Sequence, residues 1–364
     1  MSETTARAGL TPQQWDDQFF MEYVRDSRFK RYMGTDENSI IQLKDDLTVK
    51  PGNKVTFANV RKLNGNGVTG NQVLEGNEDE LDSRSMAVTV NPLRNAVVVT
   101  DWDEQKSAID LRNAGKTALK LWAMEKMRDG TIAAFYSING VLYTTATESQ
   151  KDAWLADNAD RVLFGASVSN NSSNDHSASL ANIDNTADKL SCDMISLAKR
   201  RAQLASPAIK PIRLAEDEEW FVMFANSLAF RDLSKDAAMV SANRDARARE
   251  SGALSNNPLF TGGSLQWDGV IIREIPEIPF LPGVGAGGIQ VGANFLVGAQ
   301  AIGVAWAQRT KSTTNVRDYG FRTGVGVQEI RGIEKLLFGR GAGDTDNLVQ
   351  HGVVTVYAAA VADA

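Results

Sequence analysis

A chain of 364 residues holds about two or three structural units and can bury a sizeable core without covalent staples. Its 43% hydrophobic and 23% charged residues, with 30 glycines and 9 prolines, exclude a collagen-like, mucin-like or globally disordered polymer. One cysteine, Cys192, excludes an internal disulfide scaffold and suits synthesis in a reducing compartment, while a net charge of −6 argues against a chain built mainly to neutralise nucleic-acid phosphates, leaving room for a local basic face.

In chain order, Met1–Leu10 lacks the apolar core of a signal peptide. Thr11 as N-cap and Pro12 at the first helical position then predict an amphipathic helix to Met33, with Trp15, Phe19, Phe20, Tyr23 and Val24 apolar and Gly34 as its stop. β-branched residues with period two predict strands over Ser39–Val49 and Lys54–Val60, joined as a hairpin by the Lys50-Pro51-Gly52-Asn53 turn. Leu63–Asp82 is rich in Gly, Asn and acid and reads as a loop tip. Strand patterns resume over Ser85–Val90 and Ala96–Thr100 around a connector at Asn91–Asn95, so that Ser39–Asp101 forms one extended β arm.

The strongest helix signal covers Asp103–Arg128, with Gly130 as its stop, and a second helix is expected over Lys151–Leu163. Ser167–Ser177 reads as a surface loop that leaves His176 solvated, and Thr186–Leu204 as a helix ended by Pro207 and Pro211. Further on, the pattern predicts a strand over Trp220–Phe224, a helix over Lys235–Glu250, a strand over Gly269–Ile275, a helix over Ala293–Gln308 and a terminal strand over Gly352–Ala358. No charge occurs between Glu277 and Arg309. Pro279, Pro282 and the following glycines break that stretch, however, and the remaining apolar piece is too short to span a bilayer.

The chemistry of catalysis is sparse. Gly283-Val284-Gly285-Ala286-Gly287-Gly288 has dinucleotide-loop spacing but follows a proline-broken stretch and lacks an acid about twenty residues on. Gly339–Asp344 lacks the Lys-Ser/Thr pair of a phosphate loop. No serine elbow, no histidine pair at ligand spacing and no histidine close to Cys192 is present, and His176 and His351 are the only histidines. The acidic blocks Glu78–Asp82 and Glu216–Glu219 read as solvated faces. Neither an enzymatic activity nor a cofactor is expected.

Several strings, in order from about residue 15 to 355, together resemble the major capsid proteins of tailed bacteriophages, in particular the N-four-like podovirus type. They are Asp46-Leu47 with Gly52-Asn53-Lys54-Val55-Thr56-Phe57, Gly67-Val68-Thr69-Gly70, Leu74-Glu75-Gly76, Ala108-Ile109-Asp110-Leu111-Arg112, Arg161-Val162-Leu163-Phe164-Gly165, Asn257-Pro258-Leu259-Phe260-Thr261-Gly262, Trp267-Asp268-Gly269-Val270, Leu296-Val297-Gly298-Ala299-Gln300-Ala301, Gly332-Ile333-Glu334-Lys335 and Gly352-Val353. The resemblance implies an α+β fold of the Hong Kong ninety-seven capsid type. Its parts would be an N-terminal arm and helix (1–37), an extended β loop (38–101), a peripheral domain (102–215) with spine helix 103–128, an axial domain (216–345), and a C-terminal strand returning to the peripheral domain (346–364).

The function so implied is self-assembly into hexamers and pentamers of an icosahedral head shell around double-stranded DNA, within a virion assembled in the bacterial cytoplasm. Portal, a separate scaffold, a decoration protein and DNA bound non-specifically inside are the implied partners, with no membrane. The alternative is an encapsulin-like compartment shell. Expected interface residues are Trp15, Phe19, Phe20 and Tyr23 of the first helix, Asn64, Gly65, Glu75, Glu78, Asp79 and Glu80 of the loop tip, and Arg244, Arg247 and Arg249 as basic counterparts of the acidic tip.

Overall fold

The computed structural model describes residues 28–48, 52–60, 63, 67–71, 73–78, 83–107, 110–213, 218–242, 264–339 and 347–362. The main strands are β1 (Ile41–Lys44), β2 (Lys54–Val60), β3 (Ser83–Thr89), β4 (Asn91–Thr100), β5 (Val162–Phe164), β6 (Glu219–Ala225), β7 (Leu265–Trp267), β8 (Val270–Glu274), β9 (Val291–Val297), β10 (Ile302–Arg317), β11 (Arg322–Lys335) and β12 (Val353–Ala359). The helices are α1 (Asp101–Lys106), α2 (Leu111–Tyr136), α3 (Glu148–Asp157), α4 (His176–Ala181), α5 (Cys192–Leu204) and α6 (Ser227–Lys235).

Two sheets organise the molecule. In the first, β1, β10, β11 and β4 lie side by side, with Met33–Gly34 outside β1. The second is eight-stranded and runs β5-β12-β9-β6-β8-β7, with Phe280–Leu281 added to β9 and Ile212–Arg213 to β6. α2 spans the junction. Its buried residues Leu119, Ala123, Met127 and Phe135 join Val325 and Val327 of β11 and Phe224 and Phe295 of the second sheet in one core. Phe135 stacks on Phe295 at 5.3 Å between ring centroids. The other face of the second sheet carries Met223, Leu296, Val354 and Val356 against Met194, Ile195 and Ala198 of α5 and Leu233 of α6.

This two-sided burial corrects one expectation. Residues 293–308 are not a helix: they are the end of β9, a turn over 298–301 and the start of β10, and every residue of β9 is buried. A strand covered on both faces loses the polar half of its alternation, and its continuous apolar run then imitates a buried helix.

The helix expected over 103–128 is two helices, α1 and α2, and α2 runs eight residues further, through Gly130. Asp110 starts it, its Oδ1 accepting from the Asn113 N–H at 3.0 Å. Gly130 fits inside the helix because its bare Cα faces β11; a Cβ there would lie 3.2 Å from Ile333 Cδ1.

Local hairpins were also misassigned. β1 pairs with β10 and Met33–Gly34 rather than with β2, whereas β2 pairs antiparallel with β3 from Lys54/Thr89 to Val60/Ser83. Asn91–Asn95 is no connector but the first half of β4, bonded to β11. The expected arm over Ser39–Asp101 therefore holds the β2–β3 hairpin between two strands, β1 and β4, that are built into the first sheet.

The remaining corrections are smaller. The N-terminal helix lies largely outside the described residues; its expected end is instead a 3-10 turn, Lys30–Tyr32, followed by Met33–Gly34 in extended form. Glu148–Asp157 replaces the helix expected over 151–163, whose last residues are β5, and Cys192–Leu204 replaces 186–204. α6 ends where the helix expected from Lys235 would begin, with helical structure again over 237–242. His176 opens α4 and is 1% exposed, enclosed by Tyr143, Trp154, Phe164 and Tyr357. Asp175, the residue before it, caps α4 by accepting from the Ala178 N–H, and the His176 N–H donates to Asp152 Oδ1 at 2.8 Å.

Candidate assembly surfaces

The described residues hold no group of three or more His, Cys, Asp and Glu side chains placed to bind a metal. The Cys192 thiol is buried and pushed up to about 12, first by desolvation and then by Asp236, so it is no nucleophile at neutral pH. Gly283–Gly288 lies between Phe280–Leu281 and β9 and contains a 3-10 turn at Ala286–Gly288. It enters a strand, and so offers no helix N-terminus to a pyrophosphate. No described helix is long and apolar enough to cross a membrane.

Instead, two projecting ends carry apolar side chains that one copy leaves uncovered. The first is the β2–β3 hairpin. Val55, Phe57 and Val88 at its base pack with Ala305, Leu336 and Phe338, and the Thr89 N–H donates to Glu334 Oε1 at 3.3 Å. Desolvation raises the pKa of the Glu334 carboxyl despite that bond. Gly332 permits this seating, since a Cβ there would stand 2.2 Å from the Thr89 carbonyl oxygen. Beyond the base, Val60, Leu63, Val73 and Leu74 are exposed. Such a hairpin has two free edges and little core of its own, and it gains by packing on something else.

The second end is the β10–β11 turn. Tyr319 is fully exposed there, with Val316 and Phe321 beside it and Val98 and Trp102 at the end of β4 and start of α1. The Asp101 N–H donates to the Phe321 carbonyl at 2.9 Å and ties the two segments together. Lys106 lies over the Trp102 ring at 4.4 Å. Alternation from Lys311 to Gln328 around Asp318-Tyr319-Gly320 could have revealed this hairpin in the sequence.

Of the expected interface residues, Glu75 and Glu78 are placed together on the exposed turn between β2 and β3, where the Gly76 N–H donates to Glu78 Oε2 at 2.7 Å. Trp15, Phe19, Phe20, Tyr23, Asn64, Gly65, Asp79, Glu80, Arg244, Arg247 and Arg249 lie outside the described residues.

Comparison with known proteins agrees with a surface-driven role. A family model described as phage capsid protein matches residues 3–362. The chain is 28% identical over 374 residues to the major capsid protein of Pseudomonas phage KPP25, covering 97% of each. Its structure is similar to the cyanophage Pam1 capsid asymmetric unit, with a TM-score of 0.81 and 35% identity over 100% of both chains. The capsid of Ralstonia phage GP4 shares the fold at a TM-score of 0.72 and 24% identity, over 93% of this chain and 92% of that one.

Proposed function

The chain belongs to the phage capsid protein family and has the α+β fold of the Hong Kong ninety-seven type capsids, and from that premise we propose that it is the major capsid protein of a tailed bacteriophage, assembling with itself into hexamers and pentamers of an icosahedral shell. The observation that carries this reading is likeness to a capsid subunit over the full length of both chains. It is a structural protein of the virion. The relatives are virion shells, which does not favour the encapsulin-like alternative. The N-four-like podovirus placement is a narrower proposal within the family.

The physics of a shell suits the uncovered ends. A subunit that contacts several neighbours at once needs only modest individual interfaces, because each contact raises the effective concentration for the next. In this reading the β2–β3 hairpin is the extended loop and α2 the spine. The first helix with Trp15, Phe19, Phe20 and Tyr23 and the tip with Asn64, Gly65, Asp79 and Glu80 also reach neighbours.

We divide the body differently from the sequence expectation. α2 with β4, β10 and β11 forms the peripheral part, and the eight-stranded sheet with α3–α6 the axial part. The pairing of β12 with β5 and β9, and the packing of α2 on β11, support this division. Portal, a separate scaffold, a decoration protein and non-specifically held DNA are further proposed partners. Negative-stain electron microscopy of the chain, expressed alone and with its neighbouring open reading frames, tests the reading. Closed shells, sheets or tubes with hexameric spacing are expected; a stable monomer in both preparations would overturn it.

A further inference from the structure

One face of β4, β10 and β11 packs on α2, and the opposite face is open. On that face the strand register sets Gly324 between Val98 and Asn315, and Gly326 between Ala96 and Thr313. The floor is therefore low. Cations stand at its two ends: Arg322 beside Arg317 at one, and Arg94 beside Gln328 at the other, with Lys311 next in register. Together these rows bound a groove of about 820 Å³. Arg94, Arg317 and Lys311 have no ion-pair or hydrogen-bond partner among the described residues, and Arg322 meets only Asp318, at 3.8 Å.

Within a chain of net charge −6 this groove is a local reversal of sign. It suits an acidic segment that can lie on a shallow floor and cover the exposed Val98. The turn between β2 and β3 has that chemistry. It presents exposed Val73 and Leu74 beside Glu75 and Glu78, and Asp79, Glu80 and Asp82 follow in sequence. Glu75 has no hydrogen-bond or ion-pair partner among the described residues. The hairpin base meets β11 at Gly332 and Glu334, whereas the groove lies along Arg322–Gln328 of the same strand. We propose that the groove bounded by Arg94, Arg317 and Arg322 receives the acidic Val73–Glu78 turn of a second copy of this chain. The proposal rests on the shell reading and adds the receiving surface, in place of the Arg244, Arg247 and Arg249 group expected from the sequence.

Charge exchange tests it in the full chain. R94E/R317E and E75R/E78R are each expected to lower shell yield at least about tenfold while keeping the wild-type melting temperature, and co-expression of the two chains to restore assembly. Chains carrying N315C and E75C separately should form a disulfide with each other when co-assembled and oxidised, and neither with itself. Wild-type yield from R94E/R317E, including the case in which shells form but retain less DNA, would overturn the proposal and assign the groove to a polyanion or to no partner. Absence of the N315C–E75C cross-link in assembled shells would overturn it even if charge reversal unfolds a chain. Failure of the wild-type chain to assemble at all would instead overturn the shell reading on which the proposal stands.

Discussion

Arg161 is fully buried, and its guanidinium donates to the carbonyls of Gln350, His351 and Pro207, joining the segment before β12 to the end of α5. Replacing it with Leu takes this donor from the buried Gln350 carbonyl and from the part-buried carbonyls of His351 and Pro207. The expected loss is about 3–5 kcal/mol, read as a lower urea midpoint with an unchanged slope. The buried histidines set a pH limit. Desolvation holds both His176 and His351 down to about 4, from an ordinary value of 6.5. Between those values the unfolded chain binds protons that the folded chain refuses, so stability falls as pH drops from about 6.5 toward 4, by up to about 1.4 kcal/mol per pH unit for each histidine. H176Q/H351Q should show a flatter dependence in that window; an unchanged slope would contradict the assignment. Lys335 acts in the alkaline range: burial lowers it to about 7 although its Nζ donates to the Phe135 carbonyl at 3.1 Å. The cost of burying its charge is present below pH 7 and relieved as pH rises toward 10.5, so wild type should gain stability relative to K335M across that interval.

At the scale of elements, Gly332 decides whether the hairpin can seat. G332A places a methyl group against the Thr89 carbonyl, and β3 must lift from β11. The variant is expected to fold with a loss of about 1–3 kcal/mol, yet to expose β2 and β3 to faster amide exchange and to lose most shell assembly. Unchanged exchange at Val55–Val60 would contradict this. Some of this architecture was legible in the sequence. Lys54–Val60 alternates buried and exposed positions, and its bounds were read from that alternation; β12 was recognised nearly to its ends. Partners were not legible, because pairing is non-local: β1 follows β10 in space, though Pro51-Gly52 suggested β2. β9 hid its period behind burial on both faces. At the candidate surfaces, composition alone exposed the acidic turn of Glu75 and Glu78, whereas Arg94 and Arg322 come to the two ends of one groove only through the register of β4 on β11 and left no local signal.

At the scale of the molecule, a continuous core runs from α2 through both sheets, while most of the large apolar side chains left in water gather at the β2–β3 hairpin and around the β10–β11 turn, with others such as Leu121, Leu142 and Leu204 scattered elsewhere. A monomer that buries its centre so fully and leaves its extremities apolar is completed by neighbours. β4, ten residues long, closes one side of its sheet as an open edge, and the hairpin adds two more; in a closed lattice these edges are covered. The most direct test is a cryo-electron-microscopy reconstruction of the assembled particle at side-chain resolution. The account predicts a closed shell in which the Lys54–Thr89 hairpin and the turn bearing Tyr319 are buried against adjacent subunits. Shells in which both ends face solvent, or a chain that stays monomeric with its co-expressed partners, would contradict it.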